Sequence, residues 1–172
     1  MDAIQNILTR TSVRRFEDRP IEKETIHTIL EAGMSGPSCK NARDWQFIVI
    51  QDRQTLEQMA QINSPTAGAL KHAALGILVL GDLEQAFASE PDYWIIDASI
   101  AAQNMLLAAH ALGVGAVWLG TWPRKSRVEG LQKLFNLPDS IIPHSLLALG
   151  YPAEQPKRRG FYEEGKVHFD KW

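Results

Sequence analysis

One cysteine, Cys39, is the only thiol in this 172-residue chain, which excludes an intramolecular disulfide and any multi-cysteine metal site. Neither sign of charge dominates: eighteen Lys and Arg stand against twenty Asp and Glu, a formal net charge of −2. A general nucleic-acid or membrane-surface binder carries a large basic excess, so neither partner is expected. No apolar run approaches the ~20 residues of a membrane span, and Ile77-Leu78-Val79-Leu80 is only strand-sized. The opening Met1-Asp2-Ala3-Ile4-Gln5-Asn6 lacks a basic-then-apolar leader layout, so a cytoplasmic location is expected.

Chemical motifs are equally scarce. No GxxxxGK[ST] is present, which removes a P-loop nucleotidase. Gly113-Val114-Gly115 with Gly120 loosely resembles a dinucleotide fingerprint, but it precedes a strand where such a loop should follow one. Gly113 reads better as a helix C-cap. The five histidines (27, 72, 110, 144 and 168) form no metal-ligand pair on one helix face, so no metal is expected. His110, inside an apolar stretch, reads as a hydrogen-bonded core histidine. Gly33-Met34-Ser35-Gly36 follows a helix, the wrong context for a nucleophile elbow. Cys39, beside Lys40 and Arg43, reads as a packing residue with a nucleophilic role as its alternative.

At about 150 residues per domain the length predicts one domain over residues 1–172. Helical spacing predicts a helix over Asp2 to Arg10, with Ile4, Ile7 and Leu8 behind an Asp2 cap, and a second over Glu22 to Ala32 stopped by Gly33. Trp45 to Ile50 and Leu75 to Leu80 read as strands, the latter covered on both faces. A helix is expected from about Gln54 to Gln61. Residues 82–95 read as an acidic excursion bearing Phe87, Tyr93 and Trp94. Asp97 to Leu112 is a helix apolar all round, hence buried, between subunits on this reading. Ala116 to Leu119 and Ser145 to Leu149 complete four core strands, with a helix over Val128 to Phe135 between them. Interleaved strands and helices make an α/β or α+β sheet domain, and its few strands leave room for one from a partner.

Two signals point to a ligand. Four of the ten arginines lie in residues 10–19. Arg10, Ser12 and Arg14 alternate, so an extended backbone projects them to one side as a phosphate clamp. Arg158-Arg159, about 145 residues later, could close it. A solvated basic loop fits the same residues. Pro37-Ser38-Cys39-Lys40-Asn41 is a rigid turn with polar groups suited to a heteroaromatic ring.

Taken together, these residues resemble a known family. Arg10-Thr11-Ser12-Val13-Arg14-Arg15-Phe16 is similar to the opening R-R-S-x-R-x-F of nitroreductase-like FMN flavoproteins. Pro37 to Phe47 resembles that family's P-S-x-x-N-x-Q-P-W-x-F block. The stretch Asp97 to Gly120 resembles its D-x-x-x-A-x-Q-N-x-x-L-x-A-x-x-x-G-x-G run, and Leu149-Gly150-Tyr151-Pro152 its closing L-G-Y-P. The matches keep the family's order over nearly the whole chain.

The resemblance implies an α+β fold, with a central mostly antiparallel sheet flanked by helices. It implies a homodimer in which a C-terminal arm, about residues 152–172, adds a strand to the partner's sheet. FMN would be held by Arg10, Thr11, Ser12, Arg14 and Arg158 or Arg159 at its phosphate end. Pro37, Ser38, Cys39 and Asn41 would line the ring from the other subunit, and backbone near Leu119, Gly120 and Thr121 would face flavin N5. Lys40, Arg43, Tyr93 and Trp94 are candidates for the substrate side or lid, and Lys40 or Arg43 for stabilising the reduced flavin. The flavin would carry the hydride, with no catalytic side chain required. NAD(P)H would reduce it, and a small acceptor such as a nitroaromatic or quinone would reoxidise it in ping-pong order. The fold also hosts reductive dehalogenation and flavin fragmentation, and a flavin-binding sensor is a further alternative. Thr11 in place of the second arginine, and Arg43-Asp44 in place of Gln-Pro, depart from the pattern.

Overall fold

The computed structural model describes residues 1–90, 92–154 and 162–172. Four strands form one antiparallel sheet in the order β1-β2-β4-β3, where β1 is Trp45–Ile50, β2 Leu75–Asp82, β3 Gly115–Gly120 and β4 Ile141–Gly150. Alternation divides the sheet's side chains between two layers. Leu75, Ile77 and Val79 join Leu147, Leu149 and Ala116 against helices α2 (Lys23–Met34) and α4 (Tyr93–Ala111). Leu78, Leu80, Leu146, Ala148, Val117 and Leu119 face the opposite layer, α3 (Arg53–Ile62) and α5 (Lys125–Phe135). With helices on both sides, every residue of β2 is buried.

The helix signals are mostly local. Asp2 accepts from the Gln5 N–H at 2.9 Å and caps α1 (Ala3–Thr9), and Asp52 does the same for α3 through Thr55 at 2.8 Å. Gly113, at φ +76°, ends α4 as expected. Gly33 does not end α2. A Cβ there would lie 2.8 Å from Met105 Cγ, so its lack of a side chain serves the packing of α2 on α4, and the helix continues to Met34. The apolar stripe of α1 is exposed (Ile4 66%, Ile7 54%), as is Ile96 (51%) on the outer side of α4.

Helix α4 begins four residues before Asp97, inside the segment read as an excursion. Trp94, a candidate for the lid, is 3% exposed with its ring carbons packed against Gly81, while Tyr93 is exposed. In the expected C-terminal arm, Val167-His168-Phe169 forms no ladder among the described residues and follows a short 3₁₀ turn, Glu164–Lys166. No helix among the described residues is long and apolar enough to cross a membrane.

Candidate active site at the two ends of strand β3

Strand β3 is a sheet edge, and the basic segment lies along its first half. Ser12 bridges Ala116 in parallel, Val13 N–H donates to Ala116 O at 3.0 Å, and Phe16 bridges Pro152. A Cβ on Gly115 or Gly150 would sit 2.8 Å from Val13 or Phe16, so both glycines exist to let this segment close on the sheet. Val13 points inward and is buried, which turns the flanking Ser12 and the exposed Arg14 away from the core. Arg15 pairs with Glu154 at 3.9 Å and Arg19 with Glu22 at 3.1 Å. Among the described residues, Arg10 and Arg14 have no acidic partner. A cleft of about 250 Å³ opens here between Arg10, Thr11, His110 and Gly113 to Ala116. His110 Nε2 meets Thr9 Oγ1 at 3.0 Å, the hydrogen-bonded role expected for it. Burial and then the Arg10 charge hold it below the usual histidine range. Arg158 and Arg159 lie outside the described residues.

The second polar loop is strained and tied down. Lys40, Asn41 and Arg43 have φ of 51°, 58° and 53°, a region costly for side-chain-bearing residues. Asn41 N–H donates to Ser38 O at 3.0 Å, Ala42 N–H to Cys39 O at 2.9 Å and Arg43 N–H to Ser38 Oγ at 3.0 Å. Cys39 N–H reaches both carboxylate oxygens of Asp97 at 3.0 Å. Asp97, read from sequence only as a helix start, is the loop's anchor to α4. Cys39 takes part through its backbone. Pro37, Lys40, Asn41 and Arg43 are exposed, while Ser38 and Cys39 are half-buried. Next in the chain, Asp44 is fully buried with both side-chain oxygens unpartnered. Burial, then the nearby Asp97 and Asp82 charges, push its carboxyl up to about 6.

The far end of β3 is a corner of buried polar groups behind the exposed Gly120. Ala116 and Gly120 are four residues apart, about 13 Å along the strand. Gly120 is exposed, and a Cβ on it would meet nothing within 4 Å. Its carbonyl accepts from Asn63 Nδ2 at 3.1 Å and Arg127 Nη1 at 2.6 Å. Leu119 and Thr121 on either side are buried. The Thr121 hydroxyl donates to Asn63 Oδ1 at 3.3 Å, and its N–H shares His144 O (3.3 Å) with the Trp122 N–H (2.9 Å). His144 is 5% exposed, contacts Ser99 Oγ and Ser145 Oγ at 3.1 Å each, and is held down to about 4 by burial. Trp94 and Trp118 stand edge-on to it, and Trp122 edge-on to Trp94.

Of the residues picked out in the sequence, the fold therefore lines Arg10, Ser12 and Arg14 beside the start of β3. It leaves Gly120 as the accessible member of the 119–121 trio and places the 37–43 loop on α4. Asn63, Asp97, Arg127 and His144 were not among them. Asp97 was visible only as one letter of a motif. The other three meet the site through register and helix packing, which no local spacing encodes.

The sequence profile of the nitroreductase family matches residues 7–74 and 64–151. A protein of Methanothermobacter thermautotrophicus named NADH dehydrogenase/NAD(P)H nitroreductase is 43% identical over 172 residues, covering 100% of this chain and 88% of that one. A crystal structure of a like-named protein from Bacteroides thetaiotaomicron superposes with a TM-score of 0.93 at 41% identity, over 99% of this chain and 98% of that one. An FMN-dependent nitroreductase from Clostridium difficile superposes with a TM-score of 0.90 at 31% identity, over 98% and 99% of the two chains.

Proposed function

Because the chain belongs to the nitroreductase family, we propose that it is an FMN-dependent NAD(P)H oxidoreductase acting on small acceptors such as nitroaromatics or quinones. One observation carries the reading: β3 joins two guanidiniums without acidic partners among the described residues at one end to an open backbone surface at Gly120, about 13 Å away. The residues fit FMN at both ends. Arg10 and Arg14, with the Ser12 hydroxyl, suit a phosphate, since charge-assisted and bidentate contacts to phosphate oxygens are what guanidiniums supply. Gly120 leaves room for a flat ring to approach the strand edge, where a side chain would hold it off.

When bound, FMN supplies hydride transfer from NAD(P)H and onward reduction of the acceptor. The chain's own work is to bind, orient and polarise. The anchored 37–43 loop presents Ser38, Asn41 and backbone groups in one fixed geometry, held by Asp97. Lys40, Arg43 and Tyr93 are exposed and available to the substrate side. The same pocket serving donor and acceptor in turn gives ping-pong kinetics.

A homodimer completes the reading. The exposed stripe of α1, Ile96 on α4 and the exposed Tyr162, Phe169 and Trp172 form apolar surface that a second copy would cover. Residues 152–172 are the arm proposed to cross to it, with Arg158 or Arg159 at the phosphate. Purification with a visible spectrum and a sizing column, then anaerobic mixing with NADH and NADPH, tests the whole. Bound yellow flavin that bleaches on mixing is the expected result. A protein that takes up no FMN overturns it.

A further inference from the structure

We propose that Arg127 is a positioning residue that gives the Gly120 corner its positive character, so that the site prefers the reduced over the oxidised cofactor. This rests on the FMN reading above. Arg127 is 5% exposed, yet among the described residues no carboxylate pairs with it. Its guanidinium instead donates to neutral oxygens: Gly120 O at 2.6 Å, Ser64 O at 3.0 Å and Thr66 Oγ1 at 3.2 Å. The other charge acting on it is a second cation, Arg124, and burial and that charge both act to lower its affinity for a proton.

Burying a cation without a counter-ion is costly, and three neutral acceptors lessen the cost without cancelling the charge. The corner is therefore positive and short of an anion. On strand β3, its exposed residue is Gly120. Arg127 and Asn63 both draw on the Gly120 carbonyl, which polarises the Gly120–Thr121 peptide toward them. That leaves the Thr121 N–H, the longer of the two bonds to His144 O, as the more available donor of the pair. Two-electron reduction adds negative charge to FMN, and a fixed buried cation with oriented dipoles favours the form that carries it. Lys40 and Arg43 are exposed and solvated, so they are weaker sources of the same field.

The test compares the affinities of oxidised and reduced FMN for the wild-type protein, R127Q and R127K. R127Q keeps a donor and loses the charge; R127K keeps the charge and loses the fork. In R127Q the reduced-to-oxidised affinity ratio is expected to fall about tenfold, equivalent to ~30 mV for a two-electron couple, with oxidised-FMN affinity changed less than about threefold. R127K is expected to stay within about threefold of wild type in the ratio. An unchanged ratio in R127Q overturns the proposal, as does R127K behaving like R127Q, which would mark a structural role. A wild-type measurement stands even if R127Q does not fold. A buried source is screened much less than surface charge, so the ratio should change less than about twofold between roughly 0.05 and 0.5 M salt. A steep fall with salt assigns the field to surface charge and overturns the assignment to Arg127. Failure of the wild-type protein to take up FMN would bring down the parent reading with it. Uptake with an unchanged R127Q ratio brings down this inference alone.

Discussion

The two ends of β3 are made of opposite materials. At the Arg10–Arg14 end the segment is held to the sheet by backbone bonds and the apolar Val13 and Phe16, and the two arginines without acidic partners among the described residues are half-buried or exposed. At the Gly120 end of the sheet lie all eight buried polar or charged side chains of the described residues: Asp44, Asn63, Asp82, Asp97, Thr121, Arg127, His144 and Ser145. A buried polar group is tolerated where its partners are fixed, as they are for most of these groups with Asp44 excepted, so substitutions at that end should register as stability. The exposed Arg14 and the half-buried Arg10, without acidic partners among the described residues, contribute little to folding and much to an anionic ligand. Affinity and stability should therefore separate along one strand.

The largest expected effect breaks the ligand half. Arg10→Ala combined with Arg14→Ala should weaken FMN binding by at least about a hundredfold, since each removes a charged hydrogen-bond donor. The thermal midpoint of the cofactor-free protein should move by no more than about 1 °C. Flavin fluorescence titration and a melting curve read the two together, and a large fall in the midpoint would erase the contrast.

Acid probes the buried half. His144 is held down to about 4, against 6.5 when unfolded, so the fold favours its neutral form. Its contribution is intact above 6.5 and lost as pH falls toward 4, on the order of 3 kcal/mol. His144→Gln should flatten that slope in urea melts taken across the range. Next, Gly81→Ala would place a Cβ 2.2 Å from Trp94 Cε3 and should cost about 2 kcal/mol, with FMN affinity less affected.

The smallest effect has the opposite sign. The Asp44 carboxyl is raised to about 6 from 3.8, so the fold favours its protonated form. That contribution is present below 3.8 and lost as pH rises through 6, opposing His144 between the two. Asp44→Asn should raise stability at pH 7 by about 1 kcal/mol. A loss of stability in its place would mean that the unpartnered carboxylate has an organising role.

The four strands, the caps at Asp2 and Gly113, and the alternation of Arg10, Ser12 and Arg14 could all be read from periodicity and motif. Each is encoded within a few residues; the docking of that basic segment on β3 is not. Gly33 misled because a glycine that ends a helix and one that admits a methionine from another helix look alike in sequence. The burial of Trp94 was hidden for a related reason: its place beside Gly81 depends on how α4 crosses β2. Asn63, Arg127 and His144 meet around Gly120 from three separate elements. Their partners are backbone groups, two serines and two threonines, which leave no spacing to recognise.

The doubly held carbonyl of Gly120 also bears on how such a protein would drift. A surface presented by main chain has no side chain of its own to mutate, so substitutions at neighbouring exposed positions leave it standing. Heritable change at that corner arrives either through Gly120 itself, where any side chain narrows the approach to the strand edge, or through the groups that hold its carbonyl and their neighbours, Asn63, Thr66 and Arg127. A random mutational screen for altered redox behaviour should therefore recover lesions in the α3–β2 connection and α5 as well as in the visible rim.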